Sequence, residues 1–284
     1  MSVLSLAFSP CPNDTFVFDA WVNGRLDGRL DARPVAPPPV EVTYADVDVT
    51  NTAAERGAFD VVKVSFAALP WLLKRYELLP CGGALGRGCG PLVLTRGNRD
   101  DLDGARIAVP GERTTAYLLM RLWAAGQQPA RIDVVPFAEI MPAVRAGRYD
   151  AGLVIHEARF TYADFDLTAL ADLGAWWETD TGLPIPLGAI LARRDLEART
   201  GVTAASAAEV IRASVRHAWA HPQDSAAYVA AHAQEMDPDV QRRHIDLYVN
   251  AFTDNLGDEG YAAVEALLGR AHAAGLVPTA PALR

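Results

Sequence analysis

The feature that most constrains this chain is its first fifteen residues. Val3 to Ser9 is an apolar run of strand length. It stops at Pro10-Cys11-Pro12-Asn13-Asp14-Thr15, and Phe16 to Asn23 continues as a helix. A strand that ends in a rigid polar turn and feeds a helix belongs in an open α/β sheet, and such sheets bind ligands outside the carboxyl ends of their strands. The prolines fix the turn. Asn13, Asp14 and Thr15 bring more hydrogen-bonding groups than one helix cap uses. Asn13 and Thr15 are therefore candidate ligand-binding residues, with simple capping as the alternative for any one of the three.

The alternation continues. Val40–Tyr44, Asp60–Phe66 and Gly90–Leu94 read as strands, with helical patterns over Val49–Gly57, opened by Thr50 or Asn51, and over Ala67–Lys74. The Pro-rich stretch 33–39 reads as a loop. Strands Ala105–Val109, Ile132–Pro136 and Tyr149–Ile155 then alternate with helices Ala116–Ala124 and Ala138–Ala146. Leu187–Ala192 reads as a return strand, and 204–275 as helical with breaks at Pro222, Pro238 and Gly257. Strand–helix alternation, a return strand and a purely helical tail predict an α/β chain of two lobes facing a central cleft. Lobe one takes 1–95 and 190–284, and 96–189 is inserted as lobe two.

Composition excludes whole classes of function. The formal net charge is −9, from 26 Lys and Arg against 35 Asp and Glu, and no basic run or basic-aromatic stripe occurs. That argues against nucleic acid as a partner. No apolar run is long enough to cross a bilayer, and the amino terminus lacks a signal-peptide pattern, so a cytoplasmic protein that does not engage membranes is expected. Cys11, Cys81 and Cys89 fit a reducing compartment. Cys11 reads as a small buried thiol rather than a nucleophile. No Cys/His spacing suggests a metal, and no dinucleotide fingerprint or Gly-x-Ser-x-Gly elbow is present.

Five groups of residues remain as candidates. His156 follows the apolar run Ala151–Ile155 and so sits at a strand's carboxyl end. It reads either as a proton-transfer group or as a structural histidine. His217, His221, His232, His244 and His272 fall in the helical tail and read as surface or core residues. Ser65 ends a buried strand and reads as a ligand contact or a helix cap. Thr114 and Thr115 open a helix after Pro110-Gly111, where hydroxyls and unpaired amides suit an anion. Capping alone is the alternative for each. The glycine-rich stretch 82–90 lacks the Lys-Ser/Thr of a phosphate loop and reads as a flexible approach between lobes. Trp176-Trp177 either lines the cleft or packs in the core.

Ser9-Pro10-Cys11-Pro12-Asn13-Asp14-Thr15-Phe16 resembles the amino-terminal signature of the 1,4-dihydroxy-6-naphthoate synthases, enzymes of the futalosine route to menaquinone. The resemblance continues through Asp60–Ser65, the Pro110-Gly111 turn with Thr114-Thr115-Ala116, Gly152–Glu157 and Leu183–Gly188. It implies a two-lobed fold like that of type 2 periplasmic binding proteins. It also implies a lyase that converts cyclic dehypoxanthine futalosine, an aromatic carboxylate, to 1,4-dihydroxy-6-naphthoate and a three-carbon fragment. By the same resemblance His156 is the general base. Asn13, Thr15, Ser65, Thr114 and Thr115 hold substrate, and neither cofactor nor metal takes part. A monomer or homodimer is expected. The competing readings are a chorismate dehydratase, whose amino-terminal pattern differs, a solute-binding protein, which would carry a leader or lipid anchor, and a ligand-sensing lobe, which would be fused to a DNA-binding segment.

Overall fold

A computed structural model of the protein describes residues 2–26, 29–30, 33–34, 36–97, 99–234 and 237–283. The chain first forms β1 (Leu4–Phe8), α1 (Pro12–Val22), β2 (Arg29–Leu30), β3 (Arg33–Pro34), β4 (Val40–Tyr44), α2 (Val47–Glu55), β5 (Val61–Ser65), α3 (Leu69–Leu72), β6 (Tyr76–Leu78) and β7 (Ala84–Gly86). It continues with β8 (Leu92–Thr95), β9 (Arg106–Val109), α4 (Thr115–Trp123), β10 (Arg131–Val134), α5 (Phe137–Arg145), β11 (Ala151–Val154), α6 (Ala158–Thr161), β12 (Thr168–Asp172) and α7 (Leu173–Thr181). It closes with β13 (Ile185–Arg193), α8 (Leu196–Thr200), α9 (Ala204–Ala220), α10 (Ala226–His232), α11 (Pro238–Tyr248), α12 (Ala251–Asp254) and α13 (Gly257–Ala273).

Two principal sheets result. The first has the order β4-β1-β5-β13-β6, with β7 also paired to β13, and the second β10-β9-β11-β8-β12. In the first, β1 runs parallel to both β4 and β5, and β13 lies antiparallel to β5. In the second, β9 is parallel to β10 and β11, and β8 is antiparallel to β11 and β12. The chain thus leaves the first sheet after Gly86, builds the second and returns at Ile185. The outgoing segment packs closely on the first turn of α7. A Cβ on Gly90 would lie 2.1 Å from the backbone nitrogen of Gly174, so only glycine fits there.

Strand alternation explains the layering. On β8, Leu92 and Leu94 join Ile140 and Val144 on one side of the second sheet, and Val93 faces the large central core. On β5, Val62 and Val64 face that same core while Val61 packs with α1 and α9. Every residue of β5 is buried, as expected of a central strand.

The structure corrects several sequence readings. Residues 92–95, read as the last strand of the first lobe, pair in the second sheet. A buried Leu-Val-Leu run has no local mark of which sheet it joins. The helix after the first strand begins at Pro12, not Phe16, because proline is pre-set for the first helical position. Helix α2 starts at Val47 with Asp46 at its cap position, so neither Thr50 nor Asn51 opens it. After Ser65 there is a 3₁₀ turn and only the four-residue α3, in place of a helix to Lys74. Within 33–39, Arg33–Pro34 forms a short strand on β2, and residue 35 lies outside the described residues. The tail includes residues 235–236, also outside them. Strands β6, β7 and β12 and helix α7 were not foreseen. β7 lies within the glycine-rich stretch.

Candidate functional site

A cleft lies between the sheets, at the carboxyl ends of β5 and β11. Its lining includes Ser9, Asn13, Asp14, Lys63, Ser65, Cys89, Thr114, Thr115, Ala116, His156, Leu187, Gly188, His244 and Tyr248. Of the residues foreseen from sequence, Asn13, Ser65, Thr114, Thr115 and His156 line it. Thr15 does not. It is fully buried, and its hydroxyl donates to the carbonyls of Cys11 and Pro12, 3.0 and 3.2 Å away. Because α1 begins at Pro12, Thr15 sits inside the first turn and bonds back onto it. Trp176 and Trp177 are outside the cleft as well. Trp177 is fully buried, and its indole N–H donates to the Pro184 carbonyl at 3.1 Å.

His156 leaves β11 by a left-handed turn, with φ +54°. That conformation is uncommon outside glycine and is retained where the surrounding structure enforces it, often at functional sites. The ring stands edge-on to Phe137, with centroids 5.3 Å apart, and its Nδ1 lies 3.3 Å from Cys11 Sγ. Burial, reinforced by the Glu157 carboxylate, holds the Cys11 thiol well above its ordinary pKa. Cys11 is therefore a neutral thiol and not a poised nucleophile. The contact admits two tautomers. A thiol donating to Nδ1 leaves the proton on Nε2, whereas Nδ1–H donating to sulfur leaves Nε2 free to accept one.

Ser65 is held from below by a residue that sequence reading took for a cap. Asn51 Oδ1 accepts from the Ser65 amide at 2.8 Å, and Asn51 Nδ2 donates to the Ser65 hydroxyl at 3.2 Å. Thr114 is the cap of α4. Its hydroxyl accepts from the Tyr117 amide at 3.1 Å and donates to the Gly111 carbonyl at 2.8 Å. Such a cap contributes about 0.5–2 kcal/mol. Thr115 Oγ1 donates to the Leu187 carbonyl at 2.8 Å and accepts from the Ala67 amide at 3.2 Å, tying the second sheet's helix to the first sheet. What the start of α4 offers the cleft is its backbone: the amides of Thr115 and Ala116, which no helical carbonyl can satisfy.

The main correction is His244. Read from sequence as one histidine among a helical tail, it is 1% exposed, on α11, and lines the cleft. Its Nε2 lies 2.9 Å from Asn13 Oδ1, and its ring is stacked 6.4 Å from that of His156. Behind it lies a buried ion pair. Lys63 Nζ meets Asp14 Oδ1 at 2.6 Å, Asn13 Nδ2 donates to the same oxygen at 2.9 Å, and the Ser9 hydroxyl donates to Asp14 Oδ2 at 2.8 Å. No local pattern pointed to His244. The Lys63–Asp14 pair left one trace, a lysine in the apolar strand Val61–Ser65.

Burial, then the neighbouring His156 and the Lys63 ammonium, hold His244 well below the ordinary imidazole pKa. The unfolded chain takes up this proton near pH 6.5, the folded chain only at lower pH. Stability should therefore fall as pH drops below about 6.5, by at most ~1.4 kcal/mol per pH unit for this group. Urea unfolding between pH 7.5 and 5 should show a steeper loss in the wild type than in His244→Gln. Parallel curves would mean that the ring charges freely inside the fold.

Cys11, His156 and Glu157 present donor atoms within 4.8 Å of one another and form the one group among the described residues that could close on a metal ion. They would have to contract to give zinc its bonds of about 2.0–2.3 Å. No helix among the described residues is long and apolar enough to cross a membrane.

Comparison with known proteins gives four findings. A family profile described as menaquinone biosynthesis matches residues 4–273. The 1,4-dihydroxy-6-naphthoate synthase of Streptomyces coelicolor is 60% identical over 278 residues, 97% of this chain and 95% of that protein. The enzyme of the same name from Thermus thermophilus is 47% identical over 281 residues, covering 99% and 98%. Among solved structures, the alkanesulfonate-binding protein of Xanthomonas axonopodis superposes with a TM-score of 0.71 at 15% identity, covering 99% of this chain and 96% of that one. At that identity the likeness concerns the fold alone. It is α/β, of the two-lobed, type 2 periplasmic-binding-protein kind, with the ligand cleft at its centre.

Proposed function

The chain belongs to the menaquinone-biosynthesis family, and from that premise we propose that it is a carbon–carbon lyase converting cyclic dehypoxanthine futalosine to 1,4-dihydroxy-6-naphthoate, with His156 as general base. The observation that carries the reading is His156 itself, held in a left-handed turn at the end of β11 and lining the cleft together with the start of α4. Cleavage of a carbon–carbon bond next to a ketone needs a base to take a proton and donors for the oxyanion that develops. In the tautomer with Nδ1–H on Cys11 sulfur, His156 Nε2 is free to take it. The amides of Thr115 and Ala116 offer donors for the substrate carboxylate or the oxyanion. Ser65 and Asn13 orient the substrate from the first sheet. The two sheets act as two lobes, 1–95 with 190–284 against 96–189, save that β8 pairs in the second sheet and β13 wholly in the first. The chemistry requires neither metal nor organic cofactor.

The test is direct. The purified protein, incubated separately with cyclic dehypoxanthine futalosine, chorismate and amino acids, should consume only the first and release the dihydroxynaphthoate. Consumption of chorismate would assign it to the sister reaction. Binding of a ligand without turnover would make it a solute-binding lobe.

A further inference from the structure

The hydrogen-bond chain behind the cleft fixes the state of His244 by elimination. Asp14 Oδ1 accepts from Lys63, and an ionised carboxylate can only accept. Asn13 must therefore turn its NH₂ to Asp14 and its Oδ1 to His244. An amide oxygen also only accepts, so His244 Nε2 carries a hydrogen. A neutral imidazole has a single N–H, which leaves Nδ1 with a bare lone pair. That nitrogen has no hydrogen-bond partner in the protein, and its ring lines the cleft. A buried acceptor without a donor is costly, and the cleft is where a donor can be delivered.

We propose that His244 is a specificity-determining residue of this site: its Nδ1 accepts a hydrogen bond from a hydroxyl of the ligand, and the Asn13–Asp14–Lys63 chain holds it in that tautomer. The assignment rests on the reaction proposed above and adds to it the chemical class of group that faces α11. An acceptor-only nitrogen repels a carboxylate and is satisfied by an alcohol or phenol O–H. The ligand is therefore oriented by two unlike ends. Its carboxylate belongs at the backbone donors of Thr115 and Ala116, and its hydroxyl at His244. A site built to pair a hydroxyl rejects the analogue that lacks it, because the site's own polar group is then left unpaired.

His244→Gln tests this. Glutamine keeps a side-chain N–H for Asn13 and removes the atom in the Nδ1 position. By calorimetry, the wild type should bind 1,4-dihydroxy-6-naphthoate at least about tenfold more tightly than naphthalene-2-carboxylate, which has the same carboxylate and no hydroxyl. In His244→Gln that preference should shrink to less than about twofold, with affinity for the plain naphthoate unchanged. A merely structural role would weaken both ligands alike. An undiminished preference overturns the assignment of His244. Turnover of cyclic dehypoxanthine futalosine by the wild type is the control. Its absence removes the reaction itself, and the hydroxyl assignment with it. Nitrogen-15 NMR of the wild type covers the case of a variant that does not fold. His244 must appear as the Nε2–H tautomer, and its Nδ1 resonance must move when the dihydroxynaphthoate binds. An Nδ1–H tautomer or an unmoved resonance overturns the proposal.

Discussion

His156→Asn is expected to lower turnover by about two to four orders of magnitude, the usual range for loss of a general base, with substrate affinity retained. Asparagine keeps one hydrogen-bonding edge near Cys11 but cannot take a proton. Its tolerance of the left-handed region also matters, because His156 has φ +54° and a β-branched or bulky replacement would add strain of its own. Single-turnover rates with cyclic dehypoxanthine futalosine, beside equilibrium binding of the dihydroxynaphthoate, separate the two effects. Near-wild-type turnover in a correctly folded variant would move proton transfer to another residue. His244, whose ring stacks on that of His156, and the buried Glu157 are the first to be examined.

The largest loss of stability is expected at Asp14. Lys63 and Asp14 have side chains only 7% and 3% exposed, and their ion pair is 2.6 Å long. Asp14→Asn preserves shape and removes the charge, which leaves the Lys63 ammonium buried without a counter-charge, facing neutral acceptors such as the Gly82 carbonyl 3.3 Å away. Breaking a buried pair from one side typically costs about 3–5 kcal/mol, because the surviving charge is uncompensated. Against a net stability of about 5–15 kcal/mol that is severe. Replacing both partners, with Asp14→Leu and Lys63→Met together, should recover much of the loss, since an apolar pair carries no stranded charge. Urea unfolding of the two variants decides the matter. A loss below about 1 kcal/mol for Asp14→Asn would show that water reaches Lys63 in the folded state.

The two expectations concern residues of different visibility. Much of the fold was legible in the chain because periodicity is local. Apolar runs such as Leu4–Phe8, Val61–Ser65 and Ala151–Val154 announce strands, and the Pro-Gly turn before Thr114 announces a helix start. His156 was legible for the same reason, as a histidine directly after a strand. Boundaries were less so. Pro12 starts α1 earlier than its apolar pattern does, which carries Asn13 and Asp14 into the first turn and buries Thr15.

By itself, then, the sequence determined the α/β class, the strand ends where the cleft forms, and the family, through motifs contiguous in the chain. The tertiary structure alone decided which sheet Leu92–Thr95 joins, that Cys11 meets His156 across 145 positions, and that His244 meets Asn13 across 231. The physical reason is that these contacts arise from packing between elements. Helix α11 lies against α1 because both have apolar faces to bury, and such faces state that a residue will be covered without stating by what. The tautomer of His244 is more remote still. It depends on the order in which Lys63, Asp14 and Asn13 satisfy one another's hydrogen bonds, a property that exists only once all four side chains have been brought to one place.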